Sequence, residues 1–364
     1  MRTIALVLSI PLAGGAAAQE KKAPGGVDQA KVDAAVAKGT AYLKTQTLGV
    51  GRGGVGDRAE LILLAMAHGG VSPTDPAFAG LLERVLAMDL TSTYRVSLQA
   101  MLLEELDRVK YQPRIHQCAQ FLVDNQDPEG HWGYGQPTQY PESPPVPVTT
   151  PTGTGEPRVV IFADPEPGQK PPVRQRIPVK QNRILGRGGD NSNSQYACLG
   201  LRACHDAGII LPKEVVQKAA DWWSRSQCGD GGWNYQTNGN AYGSMTAGAI
   251  GALAICHYIL GKDWRTDSNL KKGADWLGRN FSVTDNPGRA AAHHYYYLYG
   301  LERAGILYDV TRFGQHDWYA EGARLLLQQQ QPSGAWNGGS LDTCFAILFL
   351  KRATRSMVES RAAK

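Results

Sequence analysis

A short pattern, Gln-x-x-x-Gly-x-Trp, occurs three times in this chain and constrains its fold more than any other feature. The copies lie at residues 126–132, 227–233 and 330–336, so successive copies begin 101 and 103 residues apart. A degenerate copy, DWLGRNFSVTDNPG at 275–288, falls about halfway between the last two. The chain is therefore predicted to be built from units of about 50 residues.

Each copy stands between two kinds of helical sequence. The stretch before a copy is amphipathic, because its apolar residues recur on one helical face. The stretch after it has apolar and small residues on most sides of the helix, as in TAGAIGALAIC at 246–256. Six amphipathic helices are predicted, at roughly 28–46, 76–88, 111–125, 213–226, 266–279 and 317–330. Six apolar helices are predicted, from 57, from 92, and over 194–204, 246–256, 293–304 and 342–353.

Six such pairs predict an all-α fold in two layers. The apolar helices line the interior and the amphipathic helices face water. An (α/α)6 toroid of about twelve helices satisfies this arrangement, and its closed ring needs no polar capping repeats. A helical solenoid is the alternative, and it requires such caps.

The repeated pattern has a mechanical interpretation as a joint between repeats. We expect its glutamine to bond helix-end carbonyls or loop amides, its glycine to adopt a backbone conformation that a Cβ resists, and its tryptophan to cover the turn. Cys228 inside the second copy is then incidental. The joint residues are Gln126, Gly130, Trp132, Gln227, Gly231, Trp233, Gln330, Gly334 and Trp336.

The pattern ahead of a small-residue helix resembles the repeat of the squalene–hopene cyclase and protein prenyltransferase superfamily, over most of residues 28–354. Glu129 and Asp230 precede the glycine in two copies, as in that family. The resemblance, which is to an exported bacterial member, implies an α/α toroid; the family's enzymes take their ligand into a central apolar cavity. The DxDD run of the family's cyclases and the DDxxD diphosphate motif are absent from the sequence. Whether the chain is an enzyme stays open.

The first 18 residues are typical of a secretory signal peptide, with one arginine, an apolar stretch and small residues before Gln19. We expect a single mature domain over 19–364, located in the periplasm or secreted. No segment is predicted to span a membrane. The formal charge of +5 is scattered along the chain, which argues against a nucleic-acid partner.

A Pro/Gly-rich insertion at 136–189 interrupts the regular spacing. Its composition excludes a long helix, although RVVIFA within it has the character of a strand. We expect the insertion to cross one mouth of the ring, either as a lid or partner-binding arm or as a solvated excursion.

Polar residues cluster where the apolar helices begin, and these starts converge at one mouth of a toroid. We predict a binding site there for a small apolar or isoprenoid-like molecule or a protein partner. The alternative is that these residues only cap helices. The predicted ligand-binding residues are Asn191, Asn193, Gln195, Thr246, His293, His294 and Asp342, and the wider rim adds Asp57, Arg58, Thr93, Arg95 and Cys344.

Two enzymatic alternatives use the same mouth. His293, Asp342 and Cys344 resemble the zinc ligands of protein prenyltransferases, and in the aligned repeats His293 and Asp342 take the same position. The order of the ligands along the chain differs from that family, so no cofactor is expected other than this possible zinc. A carbohydrate-active enzyme would instead need two opposed carboxylates, drawn from Asp57, Glu60 and Asp342.

Two further features complete the sequence predictions. In HHYYYLYG at 293–300, at most two or three of the five rings can face the lumen, because a helix turns through all directions over that span. The cysteines are expected to be mainly buried free thiols, and a single bridge between Cys204 and Cys256 would be compatible with the fold.

Overall fold

The described residues form twelve α-helices arranged in two concentric layers. The computed structural model describes residues 26–48, 58–140, 170–237 and 239–358. The helices are α1 (Gln29–Leu48), α2 (Ala59–His68), α3 (Pro76–Ala87), α4 (Thr93–Asp107), α5 (Gln112–Asp124), α6 (Asn191–Asp206), α7 (Lys213–Arg225), α8 (Gly243–Ile259), α9 (Ser268–Arg279), α10 (His294–Tyr308), α11 (Trp318–Gln329) and α12 (Ser340–Leu350). No described helix combines the length and the apolar character that a membrane crossing requires.

The even-numbered helices form a closed inner ring. Each packs on the next, from α2 through α4, α6, α8 and α10 to α12, and α12 packs back on α2. The odd-numbered helices lie outside them, with α1 against α12 and α2. Closure of the ring confirms the predicted toroid and excludes the solenoid.

The two layers follow from the two kinds of helical sequence. In α7 the buried residues lie on one face and include Val215, Ala219 and Trp223. In α8 nearly every residue from Gly243 to Cys256 is buried. An outer helix thus covers an inner one with a single apolar face, as the amphipathic pattern predicts.

The three joints repeat one set of hydrogen bonds. Gln126 Nε2 donates to the carbonyl of Gly130 in its own loop, at 3.3 Å, and to that of Val215 in the next outer helix, at 2.8 Å. Gln227 bonds Gly231 and Asn269 in the same way. The glutamine therefore bonds carbonyls, but these belong to the loop and to the next outer helix rather than to the end of its own helix, and no amide of the described loop residues is involved.

The third joint closes the ring between the last repeat and the first. Gln330 Nε2 donates to Gly334 O at 3.0 Å and to Ala35 O at 2.8 Å. The ring of Trp336 packs so closely on α1 that a Cβ on Gly39 would lie 2.8 Å from its Cζ3 atom. The joint is therefore also the seam of the toroid.

The glycine and tryptophan of each joint behave as predicted. The glycines Gly130, Gly231 and Gly334 have φ angles of 100°, 96° and 88°, a region that L side chains avoid. The three tryptophans are fully buried. Each indole Nε1 donates to the carbonyl ten residues earlier, at 2.7 to 2.9 Å. Cys228 plays no part in these contacts.

The described part of the insertion runs along the outer helix α5. Strand β1 (Ile177–Pro178) pairs in parallel with β2 (Ile209–Ile210), which follows α6. A second two-stranded ribbon pairs β3 (Arg312–Phe313) with β4 (His316–Asp317). Backbone groups of this segment bond α5 side chains such as Gln112 and Gln120, whereas Lys170 at its start is paired with Glu104 and Glu105 at one end of the ring. The expected crossing of a mouth concerns mainly residues 141–169, which lie outside the described residues. RVVIFA lies outside the described residues.

The described cysteines are free thiols, and all but Cys228 are buried. The two closest sulfurs belong to Cys198 and Cys256, at 3.9 Å. Cys204 points toward the carbonyl of Ile115 on the outer helix α5. The mostly buried free thiols are as expected, and Cys204 and Cys256 do not pair because they face different neighbours.

Candidate functional site at the inner-helix mouth

The six inner helices begin at the same end of the ring. Tyr94, Ser192 and Tyr296, near the starts of α4, α6 and α10, contact one another. At the opposite end, Glu105 of α4 is paired with Arg355, which follows α12. The polar helix starts therefore surround one mouth, as the sequence predicts.

Three of the predicted mouth residues hold the surrounding joints together rather than facing the lumen. Asn191 accepts from Trp222 Nε1 at 2.8 Å and donates to Asn234 O at 2.7 Å. Thr246 Oγ1 accepts from the backbone N–H of Trp233 at 3.0 Å. Asn193 donates to Asp190, the residue that caps α6. All three predicted residues are fully buried.

The histidines and Asp342 do not converge. His293 is exposed, in a left-handed conformation before α10. His294 bonds the carbonyl of Val283 at 2.7 Å, and the carboxylate of Asp342 accepts from Asn337 at 2.8 Å. Asp57 lies outside the described residues, and Glu60 is paired with Arg95 at 2.9 Å.

The proposed zinc ligands are not assembled in the described ranges. No three His, Cys, Asp or Glu side chains among the described residues are grouped so that they could hold a metal ion, and His293, Asp342 and Cys344 are all among those residues. Cys344 is fully buried, and this burial raises the pKa of its thiol. A thiol held protonated in this way is a poor metal ligand.

A register error explains why His293 and Asp342 seemed equivalent. The N-cap of α10 is His293, and the N-cap of α12 is Gly339. Asp342 is the third residue after its cap, a place that Tyr296 takes in α10. The gapless alignment was therefore displaced by almost one helical turn, which moves the two side chains to different levels of the ring.

A hydrogen-bonded cluster from opposite sides of the ring crosses the lumen below this mouth. The Tyr94 hydroxyl bonds Ser192 Oγ, which bonds the Tyr296 hydroxyl at 2.7 Å. Gln195 Nε2 donates to Tyr296 at 2.7 Å, and Arg303 NH2 donates to Gln195 Oε1 at 2.9 Å. We call the following residues the lumen network: Tyr94, Ser192, Gln195, Tyr196, Tyr296, Tyr299 and Arg303.

Helix α8 makes room for this network. It lies between α6 and α10 in the ring, and its small residues let side chains of those two helices meet in front of it. A Cβ on Gly248 would lie 2.7 Å from Nε2 of Gln195. The small-residue character of α8 is thus what allows Gln195 to reach Arg303.

The network is rich in hydrogen-bond donors. Its three hydroxyls at the mouth carry one hydrogen each and the Gln195 amide carries two, which makes five. Three hydrogen bonds join these groups to one another. Burial raises the pKa values of Tyr94 and Tyr296, so both phenols keep their protons at neutral pH. The cluster is therefore suited to a ligand that accepts hydrogen bonds.

Apolar side chains line the lumen next to the network. Leu98 and Leu199 keep 7% of their surface exposed although they lie in the middle of inner helices, and Met101 is half-buried. Apolar side chains of α4 and α6 therefore lie beside the polar network.

Ion pairs and the segment after α12 close the other end of the lumen. Lys170 lies 2.8 Å from Glu105, and Arg202 donates to the carbonyl of Arg355 at 2.7 Å. Glu302 accepts from the backbone and hydroxyl of Thr354.

Sequence reasoning found only part of this site. Gln195 was predicted, and HHYYYLYG supplies two lumen residues, Tyr296 and Tyr299, as the helical geometry allowed. Tyr94, Ser192, Tyr196 and Arg303 were not predicted as lumen residues. The sequence did contain a signal for the arginine. The tenth residue after the N-cap is the small Gly200 in α6 and the small Ala252 in α8, but it is Arg303 in α10.

The fold defines the class of this protein as an all-α toroid. No protein-family model matches the chain, and no curated protein matches it. Among solved structures, it is similar to protein geranylgeranyltransferase-I of Candida albicans in complex with GGPP, with a TM-score of 0.50 and 11% sequence identity. The match covers 90% of this chain and 97% of the other. At this identity the likeness concerns the fold alone.

Proposed function

We propose that this protein binds a small apolar or isoprenoid-like molecule, which enters the toroid through the mouth formed by the inner-helix starts. The lumen network carries the proposal. It brings donor groups from three inner helices to the entrance, and an apolar wall lies beside it. Such a pocket, apolar with a few convergent polar groups, is typical of small-molecule sites.

Binding rather than a known reaction is proposed because the chemical groups of the alternatives are engaged elsewhere. Glu60 is neutralised by Arg95 and Asp342 is bonded to Asn337. A protein partner at the mouth is the competing explanation, and the experiment below distinguishes it. We also propose export to the periplasm or beyond, which rests on residues 1–18 alone.

Farnesol, a neutral isoprenoid alcohol, is a suitable probe. Calorimetric titration into the purified protein should show saturable binding. Tyr296→Phe should weaken it about fivefold, the value of one hydrogen bond of about 1 kcal/mol. The matched control is Tyr295→Phe, because that hydroxyl bonds Gln329 on the outer layer, and binding should be unchanged.

Mass spectrometry of a lipid extract of the purified protein completes the test. A bound apolar molecule supports the proposal. If farnesol does not bind and no lipid is extracted, the proposal is overturned. Equal effects of the two tyrosine substitutions would also overturn it, because the lumen network would then be irrelevant to binding.

A further inference from the structure

Arg303 is a buried cation that lacks a counter-charge. Its side chain is 1% exposed, and it takes part in no ion pair within the described residues. One guanidinium nitrogen, NH1, has no hydrogen-bond partner. An unpaired buried charge is costly, and a folded protein rarely keeps one without a use for it.

The surroundings of Arg303 hold its guanidinium in one orientation. Its carbon lies 4.1 Å from the centre of the Tyr299 ring and 5.3 Å from that of Tyr196. NH2 is fixed by Gln195. With aromatic rings beside it and NH2 fixed by Gln195, the guanidinium is left with one buried nitrogen, NH1, that bonds no described residue.

The other charges near the lumen are already balanced. Arg95 is paired with Glu60 beside the mouth, and Lys170 is paired with Glu105 at the far end. Glu302, next to Arg303 in sequence, is turned to Thr354. Burial also raises the pKa of Glu302 to about 7, which reduces the negative charge that it carries near Arg303 at neutral pH. Arg303 is therefore left without a full counter-charge in a donor-rich site.

From this balance we infer that the ligand is a monoanionic carboxylic acid with an apolar chain, whose carboxylate binds Arg303. One carboxylate neutralises one guanidinium and accepts from NH1 along a planar edge. A phosphate ester with two charges would leave a net charge in the buried site, which is strongly unfavourable. This inference rests on the proposed function and specifies the head group of the ligand.

Three probes with one isoprenoid chain test the head group separately from the chain: farnesoate, farnesol and farnesyl phosphate. Farnesoate should bind at least about tenfold more tightly than farnesol, because a hydrogen bond to a charged group is stronger than a neutral one. Farnesyl phosphate should bind no better than farnesol. If farnesol and farnesoate bind equally, the inference is overturned while the proposed function stands. If no probe binds, both fail.

Substitutions of Arg303 assign the preference to this residue. Arg303→Met should abolish the advantage of farnesoate over farnesol, and Arg303→Lys should retain part of it. The ligand-free Arg303→Met protein should be at least as stable to heat as the wild type, because the variant removes an unpaired buried charge. A preference that survives in Arg303→Met would overturn the inference.

A measurement on the wild-type protein tests the inference even if the Arg303 variants do not fold. Farnesoate labelled with 13C at the carboxyl carbon reports its own ionisation through its chemical shift. The bound acid should titrate at lower pH than the free acid, because the guanidinium favours the charged form. An unchanged or raised titration point would overturn the inference.

Discussion

The joints and the lumen of this toroid are built in opposite ways. Each joint uses the same glutamine, glycine and tryptophan contacts, repeated three times around the outer wall. The lumen network occurs once, and α4, α6 and α10 contribute different residues to it. Helix α8 contributes only the absence of a side chain at Gly248. Repetition thus marks the scaffold, and departures from repetition mark the site.

The largest expected effect tests whether the joints carry the scaffold. Trp233→Ala removes a fully buried indole and its hydrogen bond to Trp223 O. The free energy of unfolding should fall by about 3–5 kcal/mol, as for other buried aromatics. Chemical denaturation followed by circular dichroism measures it. An unchanged midpoint would show that the joint does not stabilise the ring.

A second pair of variants asks how alike the joints are. A Cβ on Gly130 would overlap the carbonyl oxygen of Lys218, whereas one on Gly231 would lie 3.0 Å from that of Lys272. Both glycines have positive φ, so both alanine variants are strained. Gly130→Ala should cost about 3 kcal/mol, from strain and overpacking together, and Gly231→Ala should cost less. Equal losses in denaturation would mean that φ alone matters.

The third prediction concerns a carboxyl group at the closed end of the lumen. Burial raises the pKa of Glu302 from 4.5 to about 7. The folded state therefore holds this proton more tightly than the unfolded state, and the stability that it contributes is lost as pH rises from about 4.5 to about 7. The slope is at most about 1.4 kcal/mol per pH unit for one proton.

Glu302→Gln isolates this contribution, because other groups titrate in the same range. Burial lowers the pKa of His68 to about 4, which gives the opposite slope below its ordinary value of 6.5. Subtracting the variant's unfolding free energy from that of the wild type at each pH should leave the falling slope of Glu302 alone. If the difference in unfolding free energy did not change with pH, the hydrogen bonds from Thr354 would fully offset the effect of burial on the pKa of Glu302.

The smallest effect is expected at the mouth, outside the network. Asp342 bonds only Asn337 near the surface. Asp342→Asn should change the unfolding free energy by less than about 0.5 kcal/mol, as surface substitutions generally do. It should also leave farnesol binding unchanged. A marked loss of binding would extend the functional surface from the lumen network to the rim.

The same contrast explains what could be predicted from sequence. Helix bounds were predicted to within a few residues, because Gln126, Gln227 and Gln330 mark the ends of three outer helices and the helical period of the apolar residues is local information. The site depends on contacts such as Ser192 with Tyr296, which are 104 residues apart. Their meeting depends on register, and a displacement of nearly one turn in α10 was enough to pair His293 with Asp342. The local sequence does not fix this register, because either His293 or His294 could be the first residue of the helix.

The seam between Gln330 and Ala35 bears on how the chain reaches its final form. These partners are 295 residues apart, so the bond that completes the circle joins segments that leave the ribosome far apart in time. While synthesis proceeds, the face of α1 around Gly39 has no Trp336 to cover it. Apolar surface of the first repeat therefore stays uncovered until the last repeat has been synthesised. Closure of this circle would accordingly be a late event in biogenesis, and the interval before it is when the nascent protein is most exposed to aggregation.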